Sequence, residues 1–146
     1  MANNKYQEIL DKFDAKTFII KDYEYWIWIL RKDQVTIGSS IIISKENHIN
    51  LCEISNEGFI EMKKVLIDVE HSIKKTFNFS EINYLTLMMV DPIVHTHIIP
   101  RYKSAVKFNK KLYIDEIYPY PPDLKMNQNL LLEEKLMIIN YIKKHI

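Results

Sequence analysis

Glycine is nearly absent. Only Gly38 and Gly58 occur in 146 residues, where average usage of about 7% would supply on the order of ten. Two glycines so far apart build neither G-x-x-x-x-G-K-[ST] nor G-x-G-x-x-G, so a P-loop enzyme and a standard Rossmann enzyme are excluded by counting. Cysteine occurs once, at Cys52. One thiol makes no internal disulfide and no Cys-rich zinc site, and it fits a reducing compartment. No excess of one charge exists either: Lys+Arg 20 against Asp+Glu 19 leaves +1, which disfavours general nucleic-acid coating. Long apolar runs are missing as well. Tyr25 to Leu30 falls far short of the roughly 20 residues of a membrane span. The polar start MANNKYQEILDKFD has no apolar core with a cleavage site, so no signal peptide and no membrane association are expected, and the cytoplasm is the expected setting. With 47% hydrophobic and 27% charged residues, the chain has the makings of one globular domain rather than a disordered one.

Tyr6, Ile9, Leu10 and Phe13 fall at helical spacing behind Asn3 or Asn4 as N-cap. Thr17 to Ile20 reads as a short strand, Tyr23 to Leu30 as a longer one, and Ser39 to Ser44 as another. Ser55 caps a long helix whose apolar stripe is Phe59, Met62, Leu66, Val69, Ile73 and Phe77, with Glu61, Lys64, Asp68 and Lys75 on the solvated face. Glu81 to Met88 and Ile93 to Ile99 read as two more strands, the second bounded by Pro92 and Pro100. Residues 101–128 show little periodicity, and their length would suit a loop that covers a site. A last helix starts near Asn129, with Leu132, Leu136, Ile139 and Ile142 inward. This order predicts α+β with an antiparallel sheet.

The chemistry concentrates in the run from Asp91 to Tyr102. Residues two apart on a strand share a face, so Ile93, His95 and His97 point one way. Such a pair of imidazoles is open to three readings. It is incidental on many strands. It ligates metal in several β folds, which here would require further ligands from His48, His71 or His145. Or one neutral ring attacks phosphorus, held by a hydrogen bond to its other nitrogen. Adjacent imidazoles favour this last use, because both rings resist being charged together.

Val94-His95-Thr96-His97-Ile98-Ile99-Pro100-Arg101-Tyr102 resembles the histidine triad (HIT) motif, His-φ-His-φ-His-φ-φ with φ apolar, in the variant ending Pro-Arg-Tyr. The approach from Ile82 to Pro92 and the turn from Asp33 to Ser39 are similar to one bacterial branch of that family. Ser44-Lys45-Glu46-Asn47 followed by Ile54-Ser55-Asn56-Glu57 sits where HIT proteins carry Pro-Lys-x-His and Leu-(Ser/Thr)-x-Glu. The likeness covers roughly residues 24–103. Two positions depart from it: Ile93 stands at the first motif histidine, and Asn47 at the Pro-Lys-x-His histidine.

The resemblance implies an α+β HIT-like fold, an antiparallel sheet with two main helices, here followed by a C-terminal helix. It implies one domain over residues 1–146, with a core of about 17–103 and a tail and helix at 104–146. It further implies a homodimer that binds a nucleotide or dinucleotide and neither nucleic acid nor membrane. The activity implied is hydrolysis or transfer of a nucleotidyl group from a dinucleoside polyphosphate or nucleoside phosphoramidate, without metal or other cofactor. His95 matches the nucleophile and His97 the phosphate-supporting histidine. Gln34 and Asn83 lie in matching segments and are candidates to touch base or ribose, a turn hydrogen bond being the alternative for each. Ile93 offers no side-chain hydrogen bond, so no help in orienting His95 is expected from it. Losing one such helper costs on the order of 10²–10³ in rate rather than everything, which favours a retained enzyme over an inactive nucleotide binder. Trp26 and Trp28 are expected in packing, Arg101 in a strand-end salt bridge, and Asp91 in a turn.

Overall fold

The structure, a computed structural model, describes residues 3–146 and the side chains from Lys5 onward. Helix α1 (Asn3–Lys12) contains both asparagines expected as its cap, and their side chains lie outside the described set. The expected strand over Thr17 to Ile20 is half helix. Asp14 turns left-handed at φ 50°, its carbonyl accepts from the amides of Thr17 and Phe18, and its carboxylate accepts from the Thr17 hydroxyl at 2.8 Å. Those bonds wind α2 (Ala15–Phe18) before β1 (Ile19–Asp22) begins.

The sheet continues with β2 (Trp26–Leu30), β3 (Ser40–Ser44), β4 (Glu81–Leu85) and β5 (His95–Arg101). Its order is β1-β2-β3-β5-β4, and every neighbouring pair is antiparallel. β2, β3 and β5 are buried throughout, because helices cover both faces. On one face Trp26, Trp28, Leu30, Ile42 and Ile98 pack with α3 (Asn56–Phe77) and α4 (Leu132–Lys144). On the other, Ile27, Ile29, Ile41, Ile43 and Ile93 pack with Ile9 of α1 and Ala15 of α2. β5 starts two residues later than expected and takes in Pro100, which lies beyond the last β3 pair, Ser40 with Ile98. β4 stops at Leu85 instead of Met88, where a positive φ of 43° breaks the strand geometry.

Ser55 caps α3, its hydroxyl accepting from the Gly58 amide at 2.9 Å. The buried stripe is turned from the one expected. Val65, Val69, Ile73 and Phe77 are buried and Met62 and Leu66 half-buried, while Phe59 is 42% exposed. The first turns are aimed by polar bonds: Trp26 Nε1 donates to the Gly58 carbonyl at 2.7 Å, and Glu61 accepts from the amides of Glu24 and Tyr25. Glu61 therefore sits against the sheet rather than in solvent. The same logic turns α4, which begins at Leu132 rather than near Asn129. Its Glu134 is fully buried, accepting from Asn109, Lys111 and the Leu131 amide, while Leu132 and Leu136 lie exposed. Asn109 and Lys111 come from a hairpin not expected from the sequence, β6 (Val106–Phe108) and β7 (Lys111–Tyr113). No helix among the described residues is long and apolar enough to cross a membrane.

Candidate functional site

β3 and β5 set the positions of both imidazoles. Antiparallel pairing places His95 opposite Ile43 and His97 opposite Ile41, on the α1 face of the sheet. The two rings are 5.1 Å apart between centroids and nearly perpendicular, at 87°. Phe13, from the end of α1, stands over both, its ring centroid 6.4 Å from His95 and 6.0 Å from His97.

Each ring is anchored through Nδ1. His95 Nδ1 lies 2.6 Å from the carbonyl oxygen of Ile93. A carbonyl only accepts, so Nδ1 carries the proton and Nε2 keeps its lone pair. Ile93 thus orients His95 through its backbone, correcting the expectation drawn from its side chain. That side chain is 1% exposed and packs among the isoleucines of the same face. His97 Nδ1 lies 2.6 Å from Nη1 of Arg31, the residue that follows β2.

Burial holds both rings neutral. His95 titrates below the ordinary histidine value because desolvation outweighs the help of the Ile93 carbonyl and Asp91. His97 is pushed down to about 3, first by burial and then by the neighbouring Arg31 guanidinium. Arg31 is itself lowered by burial, opposed only by Asp33.

The imidazoles lie at a cavity of ≈ 410 Å³, within the range of small-molecule sites. α1 contributes Lys12 and Phe13, the turn after β2 Arg31 and Asp33, the loop before β5 Leu87, Met89, Val90 and Asp91, and the tail Leu124 and Lys125. Lys12 spans to both oxygens of Asp91, at 2.9 and 2.8 Å, tying α1 to the loop. The tail is fastened on the other side, by Asn127 to the Asp33 carboxylate and by the Gln128 amide to the Gln34 carbonyl. Three further clefts of ≈ 330, 440 and 420 Å³ contain no histidine.

Gln34 and Asn83 do not line the cavity. The Gln34 amide donates to the carbonyls of Arg31 and Ser39 and accepts from the Gly38 amide, all within its own turn. Asn83 accepts from Arg101 at 2.9 Å. Arg101 forms a buried two-point ion pair with Asp115, and both tryptophans are wholly buried. Asp91 does more than turn the chain, through its contact with Lys12. His48 Nδ1 faces Glu53 at 3.8 Å, His71 is exposed, and His145 caps α4. Among the described residues no three His, Cys, Asp or Glu side chains gather into a group that could hold a metal.

Lys12, Phe13 and Arg31 escaped the sequence reading. Arg31 is one residue beyond Leu30, whose partner Ser40 adjoins Ile41, and Ile41 pairs with His97, a route that exists only in the folded sheet. Lys12 and Phe13 lie at a helix end, and nothing local predicts where that helix docks.

No protein-family model matches the chain, and no curated protein matches it. Solved structures do. The chain is 22% identical to a hypothetical histidine triad nucleotide-binding protein from Sulfolobus tokodaii, covering 88% of this chain and 82% of that one with a TM-score of 0.66. It is 16% identical to a histidine triad protein from Sinorhizobium meliloti, covering 95% and 94% with a TM-score of 0.75. It is likewise 16% identical to a histidine triad protein from Bradyrhizobium japonicum, covering 91% and 94% with a TM-score of 0.70. The architecture is the α+β histidine triad fold.

Proposed function

We propose that the protein binds a nucleotide or dinucleotide in the cavity beside His95 and hydrolyses or transfers its nucleotidyl group. The observation that carries this reading is the anchored ring. His95 gives Nδ1 to the Ile93 carbonyl and keeps the Nε2 lone pair beside a cavity of nucleotide-compatible size. The Sulfolobus tokodaii protein that shares the fold is described as nucleotide-binding, which supports the ligand class.

In this mechanism Nε2 of His95 attacks the α-phosphorus. An N–P bond forms, the bridging bond breaks, and its electron pair leaves with the departing group. Water then attacks the same phosphorus, the N–P pair returns to Nε2, and the water proton passes to solvent. His97 stabilises oxygen charge by hydrogen bonding. The chemistry uses neither metal nor cofactor. Gln34 and Asn83 have no part in it, since neither lines the cavity and the Gln34 amide is engaged within its own turn.

Residues 104–146 serve the same domain, with Leu124 and Lys125 closing one side of the site. The working form is a homodimer. β4 is a sheet edge, and exposed Phe59, Ile67 and Leu87 lie on α3 and in the loop after that strand.

The test compares parent and His95→Ala on a dinucleoside polyphosphate, with AMP and GMP binding followed by calorimetry. His95→Ala should lose turnover by about a thousandfold or more and keep its fold. Equal turnover by the two proteins removes the mechanism. Nucleotide binding with no product from the parent leaves a binding module without chemistry.

A further inference from the structure

Arg31 is 8% exposed, and among the described residues no carboxylate lies within hydrogen-bonding distance of its guanidinium. Its partners are the Asp33 carbonyl at 3.2 Å, the Leu124 carbonyl at 3.5 Å and Nδ1 of His97 at 2.6 Å. Guanidinium has donors and no acceptor, so Nδ1 of His97 must accept. A neutral ring that accepts at Nδ1 carries its one proton on Nε2. His95 is locked the other way, because its Nδ1 donates to a carbonyl. Two adjacent rings of the same residue type are thus fixed in opposite tautomers, one offering a lone pair and the other an N–H.

The geometry points to a role for Arg31 in choosing the substrate: by donating to Nδ1 it keeps His97 from taking a second proton, so the site favours leaving groups that depart as anions over those that must be protonated. The inference rests on the nucleotidyl-transfer reading above and narrows it to phosphoanhydrides over phosphoramidates. When His95 Nε2 forms its bond to phosphorus, a phosphoanhydride releases a phosphate oxygen carrying the electron pair, and no proton has to move. His97 Nε2–H can hydrogen-bond that charge. A phosphoramidate releases an amine, whose nitrogen must gain a proton as the P–N bond breaks. His97 cannot supply it, because losing the Nε2 proton would leave an imidazolate.

The other charged groups at the cavity fit the same picture. Lys12 from α1 is held on both oxygens of Asp91, which comes from the loop before β5. Asp33 accepts from Asn127 of the tail. Lys125, also from the tail, is exposed. His95 is the nucleophile itself. Burial and Arg31 together push His97 down to about 3, in the direction the contact requires.

The experiment assays the full chain on diadenosine tetraphosphate and on an AMP amidate of an alkylamine, and reads the ring nitrogens of ¹⁵N-histidine-labelled protein by NMR. The parent should favour the anhydride by about a hundredfold or more in kcat/KM, the scale of a missing general acid. His97 should show a bare Nδ1 and protonated Nε2 throughout about pH 5–8, with no titration. Arg31→Met should let His97 titrate, raise amidate turnover toward acid pH, and shrink the preference by about tenfold or more. The NMR arm needs only the parent, so it stands even where the variant folds poorly. His95-dependent turnover that is as fast on the amidate keeps the nucleotidyl-transfer reading and overturns this one, as does an Nδ1-protonated His97. If neither substrate turns over, the enzymatic reading falls and the preference falls with it.

Discussion

The Nδ1 of His95 sits 2.6 Å from the carbonyl oxygen of Ile93, two residues earlier in the chain. The bond belongs to the backbone, so the side chain at 93 can change without disturbing the ring's orientation. That side chain instead fills the isoleucine face formed with Ile41 and Ile43. Ile93→Val should therefore cost about 0.5–1.5 kcal/mol of stability and leave kcat on a dinucleotide unchanged. Urea denaturation and steady-state kinetics on the same preparation separate the two. A fall in kcat with stability intact would mean that the side chain steers His95.

His97 accepts from a buried cation and titrates near 3, whereas an exposed imidazole titrates at 6.5. Between those values the unfolded chain binds a proton that the folded chain does not. Folding stability is therefore full above about pH 6.5 and falls as pH drops toward 3, by up to about 1.4 kcal/mol per pH unit from this ring alone. His95 acts with the same sign. Urea midpoints measured from pH 7 to 4 should decline, and His97→Gln, whose carbonyl can still accept from Arg31, should decline less steeply. Identical slopes in the two proteins would show that His97 protonates freely while folded.

The residues legible in the sequence are those whose role follows from local period. His95 and His97 share a face because β residues alternate, and Ser55 begins α3 because a hydroxyl there satisfies an otherwise unpaired amide. What escaped depends on contacts distant in sequence. Arg31 meets His97 only once β2, β3 and β5 pair in register. The stripe of α3 is turned by bonds from Trp26 and to Glu61, which no helical period contains. The β6–β7 hairpin turns through Asn109 and Lys110 at φ 48° and 67°, a conformation usually announced by Asn-Gly. In a chain with two glycines that announcement is missing.

Arg101 and Asp115 pair at 2.7 and 3.1 Å in a place where both side chains are at most 4% exposed, and Asp115 also accepts from the Tyr102 amide. Asp115→Ala would leave a buried guanidinium with Asn83 as its one side-chain hydrogen-bond partner among the described residues. The expected loss is about 3–5 kcal/mol by chemical denaturation, while Asp115→Leu combined with Arg101→Met should recover most of it. A loss below about 1 kcal/mol for the single variant would show that water reaches Arg101.

The outer face of α3 carries Phe59 at 42% and Ile67 at 59% exposure, around a cleft of ≈ 330 Å³. Tyr84 of β4 reaches the same helix through its hydrogen bond to Glu70. β4 has one neighbour in the sheet and so presents a row of unpaired backbone groups beside this apolar surface. A second copy meeting both features would extend the sheet and cover the helix, with the two-fold symmetry usual for such dimers. The histidine triad resemblance implies a pair, and this face is where we expect it to form. Sedimentation of the parent at micromolar concentration should give twice the mass of the 17.5 kDa chain, and Ile67→Glu should give the monomer. The carboxylate would enter the contact unpaired, a placement that costs several kcal/mol when buried. If the parent sediments as a monomer, the dimer is excluded; if Ile67→Glu stays dimeric, the contact lies elsewhere on the chain.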